Sequence, residues 1–206
     1  MGDALTSRQK QAAQTKRRII EAALKLIEQK PISDIRIQDI TGACGIAAGT
    51  FYHYFSSKEE LCARIALEPD TPALMEIKRD SSLPLMERLR GYLTSRARTV
   101  EREGLSVTRN IHQFRMTASY REIRDKLFDG GHFEFSVGQT LFRDAVESGE
   151  LSADFPVDFY AQMLVYTIQG IIFNECLYDE PPRTVAWVSR FLDYLEQVAL
   201  KPYLLK

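Results

Sequence analysis

The sequence predicts an all-α protein of about nine helices, an N-terminal three-helix helix-turn-helix head followed by a larger helical body. Three observations carry this expectation. Apolar residues recur at three- and four-residue spacing along most of the 206 residues, the period of amphipathic helices. Strand signals are sparse. Residues 36–61, RIQDITGACGIAAGTFYHYFSSKEEL, read as two short helices around a glycine turn, then Ser-Ser-Lys leading into a third helix. In that layout the N-terminal end of the second helix meets DNA base edges.

The elements follow in order. From about residue 8 to 30, Ile19/Ile20, Ala23/Leu24 and Leu26/Ile27 mark one helical face, and Lys30-Pro31 ends it because proline disfavours a helical residue before it. Residues 36–44 and 48–54 form the short pair, and Gly45 between them can take the left-handed conformation of a sharp turn. Ser57 with Glu60 reads as a capping box for a helix to about Leu67. Pro69 and Pro72 then break the chain, which divides the head, residues 1–67 with the first seven or so flexible, from the body, residues 68–206. The body predicts a helix over about 83–103 through Leu85, Leu89, Leu93, Ala97 and Val100, ended by Gly104. A shorter helix follows over about 105–116. A long one runs over about 119–148, kinked or split by Gly130-Gly131 and ended by Gly149. Residues 156–178 are apolar on nearly every side, so that helix has to be covered all round. Pro181-Pro182 opens a last helix to about residue 201, with Val185, Val188, Phe191, Leu192, Leu195 and Val198.

Composition narrows the function. With 45% hydrophobic residues the chain can bury a real core. A net charge of −1 excludes a uniformly basic nucleic-acid coat, but the charge is uneven. Residues 1–64 hold 10 Lys/Arg against 7 Asp/Glu, and residues 65–206 hold 17 against 21. A mildly basic head on an acidic body suits contact with phosphates at one end. Cys44, Cys62 and Cys176 are odd in number and lack close pairing, so neither a disulfide framework nor a zinc site is expected. Free thiols in a reducing cytoplasm are the simpler reading, a redox sensor the other. No apolar run approaches the ~20 residues of a membrane span, and the N-terminus lacks the apolar region of a secretory signal. Gly2 with Thr6 matches a loose myristoylation pattern that arises often by chance.

The residues around the turn have chemistry suited to DNA. Gly49 lets the second helix sit close to a duplex. Thr50 offers a hydroxyl to a phosphate or base and a methyl to thymine, and Gln38 in the preceding helix has the bidentate amide suited to adenine. Tyr52 and Tyr54 can reach phosphate oxygens. His53 can donate to a guanine edge or a phosphate. Lys58 sits in the first turn of its helix, where the dipole also favours an anion. Arg36 and Ala48 complete the candidate DNA-contacting set. Phe51 and Phe55, four apart, read as core that fixes the helix angle. The basic cluster Lys16, Arg17 and Arg18, with Arg8 and Lys10 upstream, is either a solvated helix end or an arm that tracks phosphates.

Residues 15–67 resemble the DNA-binding domain of the tetracycline-repressor (TetR) family. The likeness rests on Asp39-Ile40, Cys44-Gly45-Ile46, Ala47-Ala48-Gly49-Thr50-Phe51-Tyr52-His53-Tyr54-Phe55 and Lys58-Glu59-Glu60-Leu61. Arg36 stands where the family often has Thr, and Ala47-Ala48 replace a frequent Ser-Lys, so the operator sequence stays open. The resemblance implies a transcriptional regulator, most simply a repressor released from a palindromic operator by a small-molecule effector. It further implies a homodimer whose last two helices, about 156–178 and 181–201, pair as a four-helix bundle, and an effector pocket among the middle helices. Two heads would sit about 34–36 Å apart to match successive major grooves. Tyr92, Arg96, His112, Phe114, Met116, Tyr166, Gln169 and Asn174 are candidate effector contacts, with Phe128, Phe133 and Phe135 as further aromatic lining. Gln169 and Asn174 stand out because an unpaired amide in an apolar helix costs about 1–3 kcal/mol. The helix ending near Leu67 would link pocket to head. No cofactor or metal is expected. An effector-independent DNA-binding adaptor is the alternative. A helical enzyme is remote, since no Glu-x-x-His, His-Glu-x-x-His, Gly-x-Ser-x-Gly or phosphate loop occurs.

Overall fold

The computed structural model describes residues 6–67, 83–128 and 133–205. Among these it contains ten α-helices: α1 (Ser7–Gln29), α2 (Ile37–Cys44), α3 (Ala48–Tyr54), α4 (Lys58–Leu67), α5 (Leu85–Glu103), α6 (Leu105–Arg115), α7 (Ala118–Phe128), α8 (Phe133–Glu147), α9 (Val157–Glu175) and α10 (Thr184–Tyr194). Among the described residues the regular structure is helical apart from one isolated bridge between Leu151 and Leu204. Across the long helix expected over 119–148, α7 is described up to Phe128 and α8 from Phe133. Gly130-Gly131, where the sequence predicts a kink or split, lie outside the described residues, as do Gly2, Pro69 and Pro72.

Local chemistry sets the helix ends. Thr6 opens α1 with a capping box: its hydroxyl accepts from the Gln9 N–H at 3.3 Å, and the Gln9 carboxamide oxygen accepts from the Thr6 N–H at 2.8 Å. Gly45, at φ +64° and ψ +42°, ends α2 in the left-handed conformation the turn requires. Gly104 and Gly149 also lie at positive φ, at the ends of α5 and after α8. Ser57 Oγ accepts from the Glu60 N–H at 3.0 Å. The Glu60 carboxylate reaches past Ser57 to the Ser56 N–H at 2.8 Å and the Ser56 hydroxyl at 2.5 Å, so the expected capping box is shifted by one residue.

The chain forms two compact units. The first comprises residues up to 67 together with 106–124. Its buried residues include Ile19, Ala23 and Ile27 of α1, Ile40 of α2, Phe51 and Phe55 around α3, Leu61 of α4, and Ile111, Phe114 and Tyr120 from the later segment. The chain thus leaves this unit after Leu67 and returns to it, where a single cut near residue 67 places everything later in the body. Asn110 ties the returning segment down, its amide donating to the Ile27 carbonyl at 2.6 Å.

The second unit comprises residues 68–105 and 125–206. Its described core runs through Leu89, Leu93 and Ala97 of α5, Val137, Leu141 and Ala145 of α8, Ala161, Leu164 and Ile168 of α9, and Val188 and Leu192 of α10. Helices α8 and α9 approach closely at Gly138, where an added Cβ would lie 3.2 Å from the Ala161 Cβ and 3.3 Å from its Cα. Arg88 is buried in this unit and pairs with Asp144 at 2.5 Å. The full coverage expected of α9 does not occur within this chain. Ala161, Leu164, Ile168 and Ile172 are buried, but Phe159, Met163, Tyr166 and Phe173 on the opposite face are exposed. On α10, Trp187 and Tyr194 are exposed likewise.

Candidate nucleic-acid interface

The recognition surface is built by burying one side of α3 and leaving the other to solvent. Phe51 is fully buried and Phe55 nearly so, with ring centroids 5.8 Å apart. These two anchors turn Ala48, Gly49, Tyr52 and His53 outward, while Thr50 and Tyr54 are half-buried at the edges. Tyr52 is 55% exposed and is braced edge-on against Phe51 at 5.6 Å. His53 stands edge-on to Tyr54 at 5.1 Å. A Cβ added to Gly49 would meet nothing within 4 Å, and its φ is not positive. Neither packing nor backbone conformation in this chain therefore requires glycine there.

Helix α2 supplies the flank. Arg36 and Gln38 are exposed and line an open groove with Ala48 and Tyr52. Arg36 precedes the first helical residue, and its N–H donates to the Asp39 carboxylate at 3.0 Å. Asp39 also accepts from the Lys30 ammonium at 2.8 Å. The hydrogen bond from Lys30, then that from Arg36, hold the Asp39 carboxyl below its ordinary value. At the other end of α2, the Arg18 guanidinium donates to the Cys44 carbonyl at 2.6 Å and so steadies the turn that launches α3. Arg17 is engaged with Glu21 at 2.8 Å on the solvent side.

Lys58 departs from its expected role. Its Nζ donates to the carbonyls of Ile32, Ser33 and Ile35 at 2.9, 3.0 and 2.7 Å. All three ammonium protons have backbone acceptors, so the side chain ties the start of α4 to the turn leading into α2 and has none left for a phosphate. Arg18 and Lys58 are thus the positioning groups of the surface. Their type and place in the sequence do not announce this, because their partners lie 23 to 26 residues away.

The effector candidates separate. Tyr92, Arg96 and Gln169 line one cleft in the second unit with Leu93, Leu164, Val165 and Ile168. That cleft encloses about 10 Å³, room for no more than one water. Tyr166 and Asn174 face outward from α9. His112, Phe114 and Met116 belong to the first unit. His112 Nδ1 lies 2.9 Å from the Thr108 carbonyl, Phe114 is packed edge-on against Tyr120, and Met116 is exposed. Phe135 packs against the second unit's core; the side chains of Phe128 and Phe133 lie outside the described residues.

Cys44 and Cys62 are buried and Cys176 is half-buried. Burial, with the Glu59 charge adding to it, pushes the Cys62 thiol up to about 12, so it stays protonated. Among the described residues no group of three or more His, Cys, Asp or Glu could hold a metal ion, and no helix is long and apolar enough to cross a membrane.

Residues 19–65 match the family described as bacterial regulatory proteins, tetR family. The chain is similar to the HTH-type transcriptional repressor DhaR of Mycobacterium sp. strain GP1, at 23% identity over 160 residues, covering 76% of this chain and 79% of that one. It is similar to the fatty acid metabolism regulator protein of Bacillus subtilis, at 21% identity over 189 residues, 86% and 91% of the two chains. The crystal structure of the regulator FadR from Bacillus subtilis in complex with stearoyl-CoA superposes with a TM-score of 0.71 at 18% identity, covering 87% of this chain and 97% of that one.

Proposed function

We propose that this chain, whose residues 19–65 match the tetR family of bacterial regulatory proteins, is a DNA-binding transcriptional regulator, a homodimeric repressor that reads a palindromic operator with α3 and is released by a small-molecule effector. The observation that carries the DNA contact is Gly49, a glycine on an exposed helix face that this chain's own packing does not need. Its use lies in letting a partner approach the backbone. Around it, Thr50, Tyr52, His53 and Tyr54 are the proposed contacts from α3, with Arg36 and Gln38 from α2 and Ala48 at the helix start. Lys58 acts through the placement of α2 and α4.

The exposed apolar stripes support dimerisation. Phe159, Met163, Tyr166 and Phe173 on α9, with Trp187 and Tyr194 on α10, are large apolar side chains left exposed, and exposed apolar patches mark interaction sites. A self-complementary pairing across a two-fold axis buries both stripes and places two heads on one operator.

Release by effector is a population shift, which requires differential affinity for the two forms. The cleft at Tyr92, Arg96 and Gln169 is the proposed effector site, and at about 10 Å³ it must open to admit any ligand. The acyl-CoA seen with the Bacillus FadR is the first compound class to try. The protein would act in the cytoplasm, by binding rather than by turnover.

Operator selection from random DNA with the full-length protein tests this reading. The expected result is an enriched inverted repeat, bound with steep salt dependence. Absence of any protected DNA at low salt refutes it.

A further inference from the structure

The first unit also holds a cleft of about 230 Å³, lined by Pro31, Ile32, Ser33, Lys58, Glu59, Asn110, Gln113, Phe114, Thr117 and Ser119. It shares Lys58 and Glu59 with the groove beside α3, and its other lining residues lie away from that groove. We propose that it binds a small uncharged ring polyol, of monosaccharide size.

Three features fix that chemistry. The first is a preorganised floor. Lys58 is held by its three carbonyls, and Asn110 donates to Ile27 and Lys30 carbonyls at 2.6 and 3.4 Å. The Thr117 hydroxyl donates to the Phe114 carbonyl at 2.7 Å and accepts from the Tyr120 N–H at 3.2 Å. Side chains already locked lose little freedom when a ligand arrives. The second is charge. The two charged groups of the lining, Lys58 and Glu59, stand 3.9 Å apart, and the lysine protons are all in use. An ionic ligand finds no unspent counter-charge. The third is the rim. Among the described residues the Gln113 carboxamide and the Ser119 hydroxyl have no hydrogen-bond partner, and both are exposed. Each is both donor and acceptor, as is each hydroxyl of a polyol. Pro31, Ile32 and Phe114 give the C–H face of a ring an apolar wall. The volume lies below the about 300–1,000 Å³ of sites for drug-sized ligands, which sets the size of the occupant. Bound there, a polyol bridges residues 31–33, which lead into α2, to α6 and α7.

The test uses the full-length protein without DNA, so its outcome is independent of the proposed operator reading. Isotope-labelled protein is titrated with myo-inositol and with the methyl pyranosides of glucose, galactose and mannose. Saturable shifts of the Ser33, Gln113 and Ser119 amides are expected with at least one of the four. Gln113→Leu should weaken that binding about tenfold, the loss of one such hydrogen bond, with melting temperature unchanged, and Ser119→Ala should weaken it independently. Absence of saturable shifts with all four probes overturns the proposal, as does equal binding by both variants or shifts confined to residues 83–105 and 133–205.

Discussion

At the scale of single residues, the proposed surface separates groups placed to meet the partner from groups that hold those groups in place. Gly49 is proposed as one of the first kind. Alanine at a helical glycine with open space around it, as at Gly49, ordinarily stabilises by up to about 1 kcal/mol. Gly49→Ala should therefore leave the melting temperature equal or slightly higher while operator affinity falls, as read by thermal unfolding beside fluorescence anisotropy. Lys58 belongs to the second kind. Lys58→Met strips three carbonyls of a charged donor, and about 2–3 kcal/mol of stability should be lost. The slope of log affinity against log salt should stay constant, whereas a lost phosphate contact would reduce it by about one. A stable Lys58→Met protein with a shallower slope would return the lysine to the DNA. Residue type alone could not separate these roles. Gly49 draws notice in the sequence because a glycine inside a helix has few structural uses, and the open space around it agrees with its proposed role. For Lys58 the residue type leaves the role open, because an ammonium at a helix start looks the same whether its acceptors are phosphates or carbonyls.

At the scale of elements, legibility follows how local the cause is. The bounds of α1, α2 and α3 came within a residue or two because Pro31, Gly45 and the apolar spacing act within one turn. The coverage of α9 did not, because hydropathy records how much of a helix avoids water and not which chain supplies the cover. Close contact between helices is equally silent in the sequence. Gly138 reads as a weak helix former, yet it admits the α9 backbone at Ala161. Gly138→Ala should cost about 1–3 kcal/mol through overpacking, measured as a lowered urea midpoint, in contrast to the neutral substitution at Gly49. The start of α2 carries a pH dependence. The Asp39 carboxyl is held below its ordinary value of 3.8 by Lys30 and then Arg36, so folding favours its ionised form. That contribution is complete above the unfolded value and disappears as pH falls through the lower folded one. Glu60 acts in the same direction: burial opposes its ionisation, but Ser56 and Arg64 outweigh that. Denaturation of Asp39→Asn followed from pH 6 to pH 2 should show a flatter acid limb than the parent; an unchanged limb would mean the pair persists in the unfolded chain.

At the scale of the whole molecule, the proposed repressor works as two copies. A single helix-turn-helix head spans too few base pairs to be selective, and the exposed apolar faces of α9 and α10 are the proposed seat of a second. Phe173→Glu places a charge in that face, far in sequence from every proposed DNA contact. Sedimentation should show the variant shifted from dimer to monomer, with loss of binding to the full palindrome but an intact helical circular dichroism spectrum. A dimer that persists unchanged would assign the pairing elsewhere.

The return of residues 106–124 to the first unit bears on modularity. The head is discontinuous in the chain: Ile111, Phe114 and Tyr120 lie beyond the whole of α5, yet are buried in the same unit as Phe51 and Leu61. Exchange of reading heads between regulators by recombination at Leu67 would split this packed unit, leaving apolar surface bare on both products. A functional exchange has to carry two separate segments at once. A head and body joined in this way are therefore expected to be inherited together, and to diverge as a pair.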